Sequence, residues 1–112
     1  MRLPDARDAI VEQEKICDYL LDPAHPDNGG KAAFFLSHGF SREEWSALAT
    51  AFLGLAMVAE VTRNLESQHG RKYLLDGRIE TPGGKVAMVR TVWIVDHGRG
   101  ARRLVTAYPH NE

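Results

Sequence analysis

The side chains best equipped for chemistry sit in three places. His25 lies between two prolines, Lys31 follows a glycine pair, and a pair of strand-like segments carries Arg90-Thr91-Val92-Trp93 and Thr106-Ala107-Tyr108. Those two segments present a guanidinium, hydroxyls and aromatics side by side. Metal-independent cleavage of RNA needs such parts. A base takes the 2′-hydroxyl proton, an acid protonates the leaving oxygen, and cations or hydroxyl donors meet the charge that builds at phosphorus. Gly29-Gly30-Lys31 at a helix start favours an anion, because the first N–H groups of a helix lack partners and Lys31 adds charge. A plainer reading stands beside each of these. The aromatics pack under the helices, Arg90 is solvated, and Lys31 is an ordinary first-turn lysine.

Other chemistries are excluded by what is missing. The five histidines show no helical ligand spacing such as H-x-x-x-H, and the one thiol, Cys17, falls on a separate helix. No metal site and no cofactor are expected on that basis. A phosphate-binding P-loop requires Ser or Thr after the lysine; here Lys31 is followed by Ala32. There is no G-x-S-x-G. Cys17 falls on the core-facing side of its helix and reads as a small buried hydrophobe. A single cysteine also excludes an internal disulfide.

The elements that must position these residues follow from periodicity. Ile10 to Leu21 reads as a helix, with Asp8 as its cap and a stop at Asp22-Pro23, since the residue before proline leaves helical geometry. Residues 22–30 form a loop rich in proline and glycine. Lys31 to His38 reads as a second helix, with Ala32, Ala33, Phe34, Phe35 and Leu36 mostly buried, and Gly39 ends it. Ser41-Arg42-Glu43-Glu44 is a capping box for a third helix over about residues 42–56. The texture then changes to β-branched alternation. Strands are expected at Val58–Thr62, Arg71–Glu80, Lys85–Val95 and Arg103–Tyr108, with a turn at Thr81-Pro82-Gly83-Gly84. Helices first and strands afterwards make an α+β fold: two to three N-terminal helices on a four-stranded antiparallel sheet. Residues 1–9 read as a loose arm and residues 10–109 as one domain.

The chain has 112 residues, 44% hydrophobic and 26% charged, enough for a single core. No stretch approaches the roughly 18 apolar residues of a membrane span, so no membrane association is expected. The start, Met1-Arg2-Leu3-Pro4-Asp5, lacks an apolar signal region. A cytoplasmic location is the default, and an effector exported by another route would look the same. A net charge of −1 argues against a generic nucleic-acid binder. That average conceals two halves. Residues 1–70 carry 6 Lys/Arg against 11 Asp/Glu, and residues 71–111 carry 8 against 3. Either two oppositely charged faces attract within the domain or between subunits, or a basic sheet surface meets RNA phosphate.

Several separated segments agree in order with an uncharacterised bacterial domain family. They are Lys15-x-x-x-Tyr19-Leu20-Leu21, His25-Pro26, Gly30-Lys31-Ala32 with Phe34 and Phe35, Gly39-Phe40 and Trp45. Gly70-x-x-Tyr73, Arg90-Thr91-Val92-Trp93 and Leu104-Val105-Thr106-Ala107-Tyr108-Pro109 follow. The resemblance spans roughly residues 10 to 109. More loosely, helices followed by an antiparallel sheet that ends in Val-Thr-Ala-Tyr-Pro resembles the barnase–EndoU–colicin–RelE class of toxin ribonucleases. That resemblance implies His25 as general base or acid, Lys31 and Arg90 on the phosphate, and Thr106 and Tyr108 as hydroxyl donors. RNA and an immunity protein would be the partners. The competing expectation is a non-catalytic interaction or accessory domain that forms a homodimer.

Overall fold

The computed structural model describes residues 1–97, 100 and 102–110. Five strands form one sheet: β1 (Ala9–Ile10), β2 (Val61–Ser67), β3 (Gly70–Glu80), β4 (Val86–Asp96) and β5 (Arg102–Pro109). Their order is β1-β5-β4-β3-β2. The last four pair antiparallel as a meander. β1 runs parallel to β5, with Ala9 opposite Arg102 and Ile10 opposite Arg103. The sheet is therefore five-stranded and mixed, where four antiparallel strands are expected from the sequence. Two residues are too few to show alternation, and Ile10 fits a helical period equally well.

Alternation along β4 decides which side chains reach the core. Ala87, Val89, Thr91 and Trp93 are buried beneath the helices. Arg90 and Val92 point the other way, as a strand period of two requires. Trp93 is wholly buried, and its indole N–H donates to Thr91 Oγ1 at 2.8 Å. The Thr91 hydroxyl donates in turn to the Leu75 carbonyl at 3.1 Å. The run Arg90-Thr91-Val92-Trp93 is thus divided: Thr91 and Trp93 belong to the core, and only Arg90 remains for a site.

The helical layer departs from simple periodicity. The first helix, α1 (Gln13–Lys15), passes straight into a π-helical turn over Ile16–Leu20. The expected helix from Ile10 is shorter, and Glu12 takes the capping position instead of Asp8. The wider π turn points Ile16, Leu20 and Leu21 into the core. It leaves Cys17 half-exposed, with its thiol 3.8 Å from the Arg42 carbonyl. Cys17 is not the buried hydrophobe that its spacing implies.

The second helix, α2 (Lys31–Ser37), buries Ala32 and Phe35, while Ala33 and Leu36 stay exposed. Gly39 follows at φ +93°, where a Cβ would lie 2.9 Å from the Gly83 nitrogen. Only glycine lets this helix end dock on the β3–β4 turn, where Gly83 N–H donates to the His38 carbonyl at 2.9 Å.

The third helix, α3 (Trp45–Val58), buries Leu48, Ala49, Phe52, Leu55 and Ala56. It starts three residues later than the capping box implies. Ser41 Oγ does accept the Glu44 N–H at 3.2 Å, but residues 42–44 form a turn. It also runs through Val58, which delays the first long strand to Val61.

The opening residues lie on the domain. Leu3 is buried, Arg2 bridges Glu60, and the Met1 carbonyl accepts the Val61 N–H. Polar composition alone makes this segment read as a loose arm; its partners lie about sixty and a hundred residues away, where local patterning cannot reveal them. Among the described residues, no helix is long and apolar enough to cross a membrane.

Candidate functional site

The loop over residues 22–30 is organised by Asn28, whose side chain is only 3% exposed. Asn28 Nδ2 donates to the Tyr19 carbonyl at 2.6 Å, and Oδ1 accepts the Ala32 N–H at 2.8 Å. One buried amide thus ties the π turn to the start of α2. Two further bonds shape the loop between them. The Asp22 carbonyl accepts the His25 N–H at 3.2 Å, and the His25 carbonyl accepts the Asn28 N–H at 3.1 Å. A buried amide with both ends satisfied rigidifies the loop it serves.

Tyr19 is the centre of what this loop delivers. The His25 ring meets the Tyr19 ring edge-on at 5.0 Å. The Lys15 and Lys31 ammonium groups sit 5.3 and 5.4 Å from the same ring centroid, within cation–π range. The Tyr19 phenol shares a 2.9 Å hydrogen bond with Thr106 Oγ1 on β5. Lys15, Tyr19, His25, Asp27, Val105 and Thr106 line an open cavity of about 340 Å³. Two cations, an imidazole and two hydroxyls therefore converge at the edge of β5.

His25 itself is tied to the loop through one ring nitrogen. Its Nδ1 accepts the Asp27 N–H at 3.1 Å. A neutral imidazole that accepts at Nδ1 carries its hydrogen on Nε2.

A second group forms two residues further along β5. Arg90 grips Asp76 on the neighbouring strand with two bonds, Nε to Oδ1 at 2.6 Å and Nη2 to Oδ2 at 2.8 Å. Asp76 is 9% exposed and Arg90 24%. Hydrogen bonds from Arg90 hold the Asp76 carboxyl below the ordinary carboxylate range. The same bonds, with Tyr108 as a lesser contributor, raise Arg90 above its usual value. Tyr108 stands opposite Arg90 across the ladder, and His110 Nε2 lies 3.6 Å from Asp76 Oδ2.

Of the residues the sequence singles out, His25, Lys31 and Thr106 come together on Tyr19. Arg90 and Tyr108 come together with Asp76. Thr106 and Tyr108 are two positions apart on one strand, about 7 Å between Cα atoms, so β5 carries a hydroxyl to each group. Arg90 is committed to a carboxylate, which reduces the charge it can offer to phosphate. Sequence reasoning missed five members. Tyr19 and Lys15 fit a helical face and signal nothing more. Asp76 and His110 are visible only once the strands are in register. Asn28 looks like any loop asparagine until its burial is known. Among the described residues, no three His, Cys, Asp or Glu side chains are grouped to hold a metal ion.

Residues 2–111 match the family described as domain of unknown function DUF6883. The chain belongs to that family. No curated protein is significantly similar to it. Among solved structures, a chain of the "Contact-dependent growth inhibition toxin - immunity protein complex from Klebsiella pneumoniae 342" has the same fold. The TM-score is 0.74 at 19% identity, over 96% of this chain and 97% of that one. The likeness covers the DUF6883 domain from end to end, and at this identity it speaks to fold alone.

Proposed function

We propose that this domain cleaves RNA phosphodiesters without a metal ion, in the manner of a toxin-type ribonuclease. The observation that carries the reading is the convergence of Lys15, Lys31, His25 and Thr106 on Tyr19, from four separate segments of the chain. Lys15 and two hydroxyls lining one open cavity, with Lys31 over the same Tyr19 ring, suit a phosphate whose charge grows during reaction. In this reading the 2′-oxygen of the ribose bonds to phosphorus and the bond to the 5′-oxygen breaks. The products are a 2′,3′-cyclic phosphate and a 5′-hydroxyl. One proton leaves the 2′-hydroxyl and one reaches the 5′-oxygen, passed along the hydrogen-bonded Tyr19 and Thr106 hydroxyls. Lys31 and Lys15 meet the phosphate charge. Tyr108 and Arg90 flank the neighbouring nucleotide.

The sheet face opposite the helices supports the reading. Arg63, Lys72 and Arg78 alternate there with Leu65, Leu74 and Met88, and none of the three cations makes an ion pair among the described residues. Unpaired cations on a sheet that also bears apolar side chains suit a single-stranded backbone and its bases. The structural likeness to a chain from a toxin–immunity complex agrees with a toxin-related role and with a protein partner that would hold the activity in check. The test is incubation of bacterial RNA with purified protein in a chelator, followed by end analysis. Discrete fragments with cyclic phosphate ends support the reading; intact RNA at micromolar protein refutes it.

A second reading has one observation in its favour. α3 carries no charged residue along its fourteen positions, and Ala47, Thr50, Gly54 and Val58 line an outward groove of about 400 Å³ beside Ile79. This suits a non-catalytic domain that pairs through α3 with a second copy. Light scattering at increasing concentration decides it by mass.

A further inference from the structure

We infer that His25 serves this site as a neutral hydrogen-bond donor to a phosphate group, held in one tautomer by its loop, and is neither the base nor the acid. The inference rests on the reading of the Tyr19 cluster as a phosphate site, but not on catalysis there. Its warrant is the bond from the Asp27 N–H to His25 Nδ1 at 3.1 Å. A backbone amide can only donate, so Nδ1 must hold its lone pair. Nε2 then carries the hydrogen. A base needs a free lone pair facing the substrate, and the lone pair here is already occupied. An acid at useful pH must be the imidazolium, which has a second N–H at Nδ1. That hydrogen would face the Asp27 N–H, so protonation breaks the bond and opposes the loop geometry. What remains is an N–H donor in a fixed direction, the arrangement that stabilises anions without transferring a proton.

Rigidity makes the tautomer durable. Asp22 Oδ1 accepts the Ala24 N–H at 2.9 Å, and Asn28 locks the other end of the loop to Tyr19 and Ala32. Glu12, Glu14, Lys15, Asp18 and Tyr19 line the surface on one side of His25, Asp27 lies beside it on the loop, and Lys31 on α2 sits over the Tyr19 ring. A phosphate would take charge from Lys15 and Lys31 and a directed hydrogen bond from Nε2–H.

Long-range proton–nitrogen correlation spectra of the imidazoles read the tautomer directly. The expected result for the free protein at neutral pH and above is His25 as the Nε2–H form alone. Titration with inorganic phosphate should then shift the His25 Nε2 and Lys31 signals together. His25→Gln keeps a donor at the same reach and should hold phosphate within about threefold of wild type. His25→Ala should weaken it about tenfold, the loss of one charge-assisted hydrogen bond. A His25 that populates both tautomers overturns the inference. So does a glutamine variant as weak as the alanine one, or the absence of any phosphate-dependent shift at His25. These readouts stand whether or not the protein cleaves RNA. If phosphate binds as described and RNA stays intact, the catalytic reading fails and the donor role survives.

Discussion

Tyr19 and Thr106 lie 87 residues apart and share a 2.9 Å hydrogen bond between their hydroxyls. Tyr19 belongs to the π turn and Thr106 to the last strand, so this one bond closes the helical layer onto β5. Tyr19→Phe and Thr106→Val each remove one partner and leave shape nearly intact. Each should destabilise the fold by about 1 kcal/mol in urea titration. The double variant should cost little more than either single one, because the two changes remove the same bond. Additive losses would mean that the hydroxyls act separately.

Asp76 and Arg90 form a partly buried, two-bonded pair, and removing one member leaves the other charged and unmatched. Asp76→Ala should cost about 3 kcal/mol in denaturant unfolding. Asp76→Ala combined with Arg90→Ala should cost less than Asp76→Ala alone.

The same pair sets a pH dependence. Its hold on the carboxyl lowers the Asp76 pKa, so the folded state binds that proton less readily than the unfolded chain. The stabilisation is complete above the unfolded carboxylate value and is lost as pH falls through the lowered folded one. Urea midpoints measured from pH 7 down to pH 2 should therefore fall across the acid limb. Asp76→Asn should flatten that fall relative to wild type. An unchanged slope would show that Arg90 does not hold the carboxylate in solution.

How far the sequence carries to this picture varies by element. Arg71–Glu80, Lys85–Val95 and Arg103–Tyr108 alternate over long enough runs that each strand is legible to within a residue or so. Gly39 is legible as a helix stop because a positive φ is the ordinary reason for glycine there. The π turn is not. Ile16, Cys17 and Leu20 satisfy a helical period, and only tertiary packing shows that the turn widens and expels Cys17. The site is half legible. His25, Lys31 and Thr106 stand out by residue type. Tyr19, which joins them, sits in an unremarkable helical stretch, and Asp76 is separated from Arg90 by a turn whose length sets the register. The role of His25 needed an atom-level fact, which nitrogen of the ring is already in use.

Thr91 links a buried indole to a buried carbonyl, and neither has water to fall back on. Thr91→Val keeps the volume and removes the oxygen. Trp93 Nε1–H and the Leu75 carbonyl then lose their partner, which should cost about 2 kcal/mol. Thermal unfolding checks the size. Trp93 fluorescence should shift if the indole turns to find a new acceptor.

The proposed cleavage stands or falls on initial rates against an RNA oligonucleotide in the presence of EDTA. Wild type is compared with Lys31→Ala and with Lys85→Ala, a lysine on the far turn. Wild type should cleave to a cyclic phosphate end, Lys31→Ala should lose about a hundredfold, and Lys85→Ala should match wild type. No cleavage by wild type at micromolar protein, or equal loss in both lysine variants, would contradict a reaction centred on the Tyr19 cluster.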